Sequence, residues 1–150
     1  MSLTPTAALL ATATTLLADG ADADGPLTPA GRDRGATYAL RIALESSVDA
    51  ALAAEEAGLG ELRSMRAKLL CLHHYAGPAR ARRVSALWNR LSAGCKYHHD
   101  ELGPSHAQVR AWRAAVECLA TELAAPVASR RPPQRAGGEA LAGEDRPGGR

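Results

Sequence analysis

The chain is 150 residues long and has a mass of 15.6 kDa, which is the size of one domain and favours a single core over a multi-domain enzyme. Phe is absent and aromatic residues make up 3% of the sequence, so any core must be mainly aliphatic and rich in Ala. The formal net charge is +2, and only two of the 18 basic residues are lysines, a bias typical of GC-rich bacterial genes.

Cysteine usage and hydropathy narrow the class of protein. Three cysteines are too few for a disulfide-stapled secreted domain and favour a reducing compartment. No stretch approaches the roughly 20 consecutive apolar residues that cross a bilayer, so we expect no membrane span. No Lys or Arg precedes Arg32, so the apolar stretch at 7–17 lacks the positive region of a signal peptide. We therefore expect a bacterial, cytoplasmic protein.

Helix-start signals and apolar periodicity predict two helices in the first part of the chain. Thr4 followed by Pro5 starts a helix over 4–19, which we expect at the periphery of the domain. Thr28 and Pro29 repeat the signal for a longer helix that runs to residue 57. On one side of this second helix, charged side chains recur at four-residue spacing: Arg41, Glu45 and Asp49.

Three further helices are predicted at 61–75, 78–97 and 105–125, each followed by a Gly or Pro that ends it. No strand-like alternation of useful length competes with them. The fold class is therefore all-α, a small up-and-down bundle of about five helices within residues 1–126. Residues 127–150 are rich in Arg, Pro and Gly without periodicity, which predicts a disordered tail.

Charge is segregated along the chain. Residues 62–99 hold eight cations and no carboxylate, so the third and fourth helices form a basic hairpin, whereas acidic residues concentrate in the second helix and its flanks. Cations beside Tyr and His rings are what nucleic-acid phosphates and bases require. The alternative is that these cations pair with the acidic helix. The residues predicted to contact nucleic acid are Arg66, Lys68, Arg80, Arg82, Arg83, Arg90, Lys96 and His99.

Two similar Cys/His strings occur near the ends of the third and fourth helices. Cys71 and His74 share one helix face, as do Cys95 and His99, and two such pairs could build a tetrahedral zinc site. Antiparallel helices would place the strings at opposite ends of the hairpin, so we predict no metal and keep these four residues as the alternative. No Gly-rich phosphate loop is present, and we expect no cofactor.

The segment at 36–45 reads Ala-Thr-Tyr-Ala-Leu-Arg-Ile-Ala-Leu-Glu, and the segment at 91–102 reads Leu-Ser-Ala-Gly-Cys-Lys-Tyr-His-His-Asp-Glu-Leu. Together, these two segments resemble the HEPN superfamily of small helical bundles. The resemblance implies an all-α domain, often dimeric, in a family several of whose members cleave RNA without a metal. The family's catalytic pattern is an Arg followed after four to six residues by a His, which corresponds here to His98. Seven residues separate His98 from Arg90, and Ala93 stands where a four-residue spacing requires the arginine.

These observations predict a HEPN-like binding or regulatory domain that has lost catalysis and contacts RNA or a protein partner through the hairpin at 62–99. Two alternatives stay open. In the first, a metal-independent ribonuclease uses His98 as general acid/base, with Arg90 or a cation from a second subunit stabilising the developing charge. In the second, a structural adaptor forms a homodimer through its first or fifth helix and has no role with nucleic acid. No membrane partner is expected.

Overall fold

The computed structural model describes residues 2–18, 25–96 and 102–125, and within them the chain forms five α-helices and no β-strand. The helices are α1 (Pro5–Leu17), α2 (Pro29–Glu55), α3 (Met65–Ala76), α4 (Pro78–Cys95) and α5 (His106–Ala124). The prediction of an all-α helical bundle is confirmed. The predicted tail at 127–150 lies outside the described residues. None of the described helices combines the length and the apolar character that crossing a bilayer requires.

The start signals of α1, α2 and α5 act as N-caps. The hydroxyls of Thr4 and Thr28 each accept a hydrogen bond from the backbone N–H three residues later, at 3.2 and 3.0 Å. Ser105 and Gln108 form a reciprocal capping box at the start of α5. Each cap satisfies backbone donors that a helix start leaves open. The local sequence therefore determines where these three helices begin.

Helix α2 lies at the centre of the bundle, and the other four helices all pack on it. The apolar side chains of α2 form one buried stripe, and the Ala side chains within it allow its neighbours to approach closely. The buried residues of α2 are Ala36, Thr37, Ala39, Leu40, Ala43, Leu44, Ser47, Val48, Ala51 and Leu52.

Helix α1 is part of this core rather than a peripheral element. It runs antiparallel to α2, because Thr6 lies 3.5 Å from Ser47 near one end and Leu16 approaches Gly35 near the other. Ala13 and Leu17 of α1 are buried in the apolar cluster that α2 organises.

Helices α3 and α4 form the predicted hairpin, which turns at Gly77. Helix α4 also lies antiparallel to α5. At one end of this helix pair Arg80 contacts Glu122, and at the other end Gly94 lies against Trp112. A Cβ on Gly94 would lie 3.1 Å from the Trp112 ring, so the indole packs over glycine backbone. The position thus accommodates one of the two tryptophans in a core that has no Phe.

The connection between α2 and α3 differs from the prediction. Helix α3 begins at Met65 rather than at residue 61, because Ala57–Glu61 forms a turn of 3₁₀-helix. A Cβ on Gly60 would lie 2.9 Å from the Ala53 Cβ, so the missing side chain lets this turn pack against the end of α2. The contact is tertiary, and helical periodicity alone does not reveal it.

Gly77 provides the first test. Its φ of 90° and ψ of 159° form a conformation that other residues rarely adopt. We expect Gly77→Ala to lower the free energy of unfolding by roughly 1–3 kcal/mol through backbone strain alone, because no atom lies within 4 Å of the added methyl group. Urea denaturation measures this difference.

Gly58→Ala is the matched control. Its added methyl group also meets no atom within 4 Å, and its backbone is outside the left-handed region. We expect a change below about 0.5 kcal/mol. Equal effects of the two substitutions would contradict the assignment of strain to Gly77.

Candidate interaction surface on the α3–α4 hairpin

Lys68 is not a surface cation. Its side chain is 4% exposed, and its Nζ lies 2.8 Å from Glu45 Oε1 and 2.8 Å from Asp49 Oδ1 on α2. Burial by itself lowers the pKa of Lys68, but the hydrogen bonds and charges of Asp49 and Glu45 outweigh it and hold this pKa above its ordinary value of 10.5. The ammonium group is charged and enclosed. This corrects the assignment of Lys68 to the nucleic-acid contact set.

Two further cations of the hairpin pair with α5. Arg83 Nη1 lies 2.8 Å and Arg80 Nε lies 3.4 Å from Glu122 Oε2. The hydrogen bond from Arg83, followed by weaker contributions that include Arg80, holds the pKa of Glu122 below its ordinary value of 4.5. Pairing with neighbouring helices, the alternative to nucleic-acid contact, thus holds for Lys68, Arg80 and Arg83. Their partners come from both α2 and α5.

The other five cations of the hairpin are exposed, and within the described part of the chain they form no ion pair. No carboxylate lies between residues 62 and 96, so this surface is basic without local compensation. These five residues are Arg63, Arg66, Arg82, Arg90 and Lys96.

An open groove of about 390 Å³ runs between α3 and α4. Its apolar lining includes Met65, Leu69 and Trp88, together with Leu70, which is 68% exposed. The guanidinium of Arg41 on α2 lies 4.6 Å from the centroid of the Trp88 ring, which holds this ring in place from the core side of the hairpin. Residues lining the groove are Met65, Arg66, Leu69, Leu70, His73, Ala81, Arg82, Ser85, Trp88 and Asn89.

Helical periodicity does not reveal the groove, because it places Met65, Leu69 and Leu72 together on one side of α3. Only Leu72 is fully buried, at 1% exposure. A signal was available in the consecutive apolar residues Leu69 and Leu70, since adjacent helical positions diverge by about 100° and cannot both face one core. Of the predicted contact residues, Arg66 and Arg82 line this groove. Lys68, Arg80, Arg83, Arg90 and Lys96 do not line it, and His99 lies outside the described residues.

The zinc alternative is not supported by the described residues. Cys71 lies close to the Gly77 turn and Cys95 at the far end of α4, so the two are separated by roughly 18 Å along the antiparallel helix axes. His99 lies outside the described residues. No cluster of three or more metal-ligating side chains occurs among the residues that the structure describes. Burial also raises the pKa of the Cys95 thiol, although the charge of Arg41 partly opposes this, so Cys95 is a poor nucleophile.

The ribonuclease alternative depends on His98, which lies outside the described residues together with Tyr97. Arg90 is exposed on α4 and borders a separate depression with Gly94 and Trp112. The pairing of Arg90 with His98 therefore stays a prediction.

Comparison of the chain with known protein families, characterised proteins and solved structures found no match. The HEPN resemblance accordingly stays a prediction as well, and function must be argued from the hairpin itself.

The two ion pairs of the buried Lys68 side chain lead to a prediction about stability. We expect Lys68→Met to lower the free energy of unfolding by about 2 kcal/mol, less than the roughly 3–5 kcal/mol typical of a fully buried pair. The reason is that Glu45 and Asp49 lose their common partner and Asp49 Oδ1 is buried, but both side chains are 33% exposed and keep part of their hydration. Urea denaturation at neutral pH measures the loss. Arg63→Met, at an exposed cation of the same hairpin, is expected to change the stability by less than about 0.5 kcal/mol.

The contact of Glu122 with α4 makes the free energy of unfolding depend on pH in the acidic range. Because its pKa is lower in the folded state, Glu122 stabilises the fold above about pH 4.5, and this contribution is lost as pH falls through the lowered pKa. We expect Glu122→Gln to cost roughly 0.5–1 kcal/mol at pH 7 and progressively less below pH 4.5. Denaturation of both proteins across this pH range tests the prediction. A difference that stays constant or grows in acid would contradict it.

Proposed function

We propose that this protein is a non-catalytic helical binding domain that holds an acidic segment of a protein partner against the α3–α4 hairpin. The observation that carries the proposal is the placement of Arg66 and Arg82 on the two sides of an apolar groove that contains Trp88. Tryptophan and arginine contribute disproportionately to the affinity of protein interfaces. Carboxylates of a partner complement the two guanidinium groups, which form no ion pair with the described residues of this chain.

The distribution of charge favours a protein partner over RNA. A single-stranded nucleic acid needs cations that follow its phosphates and aromatic faces on which its bases stack. Lys68, Arg80 and Arg83 are instead engaged with carboxylates of α2 and α5. Arg41 covers the Trp88 ring from the core side, and the ring also lines the groove. An apolar floor between two arginines suits apolar side chains flanked by carboxylates.

A selection experiment tests the proposal. A random-sequence peptide library is displayed against the full chain, and RNA of random sequence is titrated in parallel at low and moderate salt. We expect the enriched peptides to be acidic, and we expect Arg66→Glu and Arg82→Glu each to weaken their binding by roughly tenfold, as the loss of a charge-assisted hydrogen bond does.

Arg90→Glu is the control, because Arg90 is exposed on the same helix but lies outside the groove. We expect it to leave peptide binding unchanged. RNA binding that is tight, strongly salt-dependent and weakened equally by Arg66→Glu and Arg90→Glu would overturn the proposal, since phosphates would then follow the whole basic surface.

A further inference from the structure

The chain leaves the helical bundle close to the α3–α4 groove. Helix α5 is antiparallel to α4, and Glu122 in its last turn contacts Arg80 and Arg83 in the first two turns of α4. Arg82 and Ser85 line the groove, so the groove lies on the face of α4 that points away from α5. A segment that follows α5 therefore has to cross about one helix diameter, roughly 10–12 Å, to reach the groove.

The part of the following sequence that complements the hairpin in charge is the segment 136–145. It reads Ala-Gly-Gly-Glu-Ala-Leu-Ala-Gly-Glu-Asp, with three carboxylates, no cation and the single Leu that follows α5. The five arginines of the tail all lie outside it. Carboxylates on both sides of an apolar side chain are what the apolar groove with its two arginines suits. The acidic segment at 19–24, by contrast, contains no large apolar side chain.

The linking residues 126–138, which separate Ala125 from Glu139, are long enough to bring the segment to the groove. As a flexible coil, a linker of this length spans about 20 Å on average, and in the extended conformation that Pro favours it spans about 40 Å. Both spans exceed the helix diameter that has to be crossed. The linker holds the segment at an effective concentration on the order of 1 mM, so even a weak contact fills the groove.

We infer that the segment 136–145 of this chain docks in its own α3–α4 groove and competes there with the acidic partner. Arg66 and Arg82 bind carboxylates of the segment, and Leu141 packs on the apolar lining. The inference rests on the proposed function and adds its regulation, because a partner must displace the segment before it binds. The partner's binding is therefore weakened by the chain itself.

Removal of carboxylates from the tail tests the competition. The probe is a fluorescently labelled peptide with the sequence of residues 136–145, and its binding to the full chain is measured by fluorescence polarisation. We expect the double variant Glu139→Gln/Glu144→Gln to bind this peptide roughly tenfold more tightly than the unaltered chain, since the tethered competitor is weakened. Adding Arg82→Glu to the double variant is expected to abolish the gain.

The matched control is Glu56→Gln/Glu61→Gln, which removes two exposed carboxylates between α2 and α3 and changes the net charge by the same amount. We expect it to bind the peptide like the unaltered chain. An equal gain in both double variants would reduce the effect to net charge and overturn the inference. If the tail variant shows no gain while display-selected acidic peptides bind, the inference fails and the proposed function stands. If no acidic peptide binds any of these proteins, the proposed function fails as well.

Disulfide trapping tests the location. The three native cysteines are replaced by Ala, and Leu141→Cys is combined with either Ser85→Cys or Ala86→Cys. Ser85 lines the groove, whereas Ala86 is exposed beside it on α4. With oxidised glutathione as the oxidant, we expect the cross-link to position 85 to form at least tenfold faster than the cross-link to position 86. Circular dichroism checks that both variants stay folded. Equal rates would show a tail that does not dock and would overturn the inference.

The size of the cross-linked product shows which chain supplies the segment. We expect a covalent monomer whose yield does not depend on protein concentration, because the segment and the groove belong to one chain. Covalent dimers whose yield rises with protein concentration would place the tail of one copy in the groove of another, which would overturn the inference.

Discussion

Helix α2 buries ten of its 27 side chains, and it does so against four other helices rather than one. With no Phe in the chain, this burial depends on Leu, Val and Ala, whose small size brings helix backbones close together. Helices that surround α2 must in turn leave their own outer faces to solvent. In the α3–α4 hairpin, two helices of that outer layer meet with apolar side chains still accessible between them.

The charged row of α2 connects this core to the outer surface. Arg41 covers Trp88, and Glu45 and Asp49 hold Lys68, so the polar side of α2 faces the hairpin instead of solvent. These contacts satisfy one cation of the hairpin internally, while Arg66 on the same helix stays on the outside. The packing of α3 on α2 therefore encloses Lys68 and leaves Arg66 available to a partner. Helices α3 and α4 take part both in packing on α2 and in the proposed binding surface.

Much of the fold could be predicted because its determinants are local. Thr4, Thr28 and Ser105 cap helices through hydrogen bonds within one turn, and Gly77 ends one helix with a backbone conformation of its own. The start of α3 could not be placed, because Gly60 acts through a contact with Ala53 on another helix.

The candidate surface was predicted only as a basic hairpin, since sequence gives the number of cations but not their partners. Lys68 lies one helical turn from buried Leu72, and Glu45 and Asp49 lie one turn apart on α2. These two spacings indicate that Lys68 faces the core and that both carboxylates lie on one face of α2. Only the packing of α2 on α3, however, brings the cation and the carboxylates together. His98 and His99, on which the catalytic alternative depends, lie outside the described residues. Their pairing with Arg90 therefore stays a prediction.

The enclosure of Lys68 also changes which side chains amine chemistry can reach. The chain has two lysines, and the other, Lys96, is exposed immediately after the last residue of α4. Acylation, conjugation to another protein through an isopeptide bond, or an amine-reactive cross-linker would therefore modify Lys96 and spare Lys68 as long as the bundle is folded. Lysine-directed reagents therefore modify one of the two lysines of this arginine-rich protein as long as the bundle is folded. Modification of Lys68 would show that α3 has separated from α2.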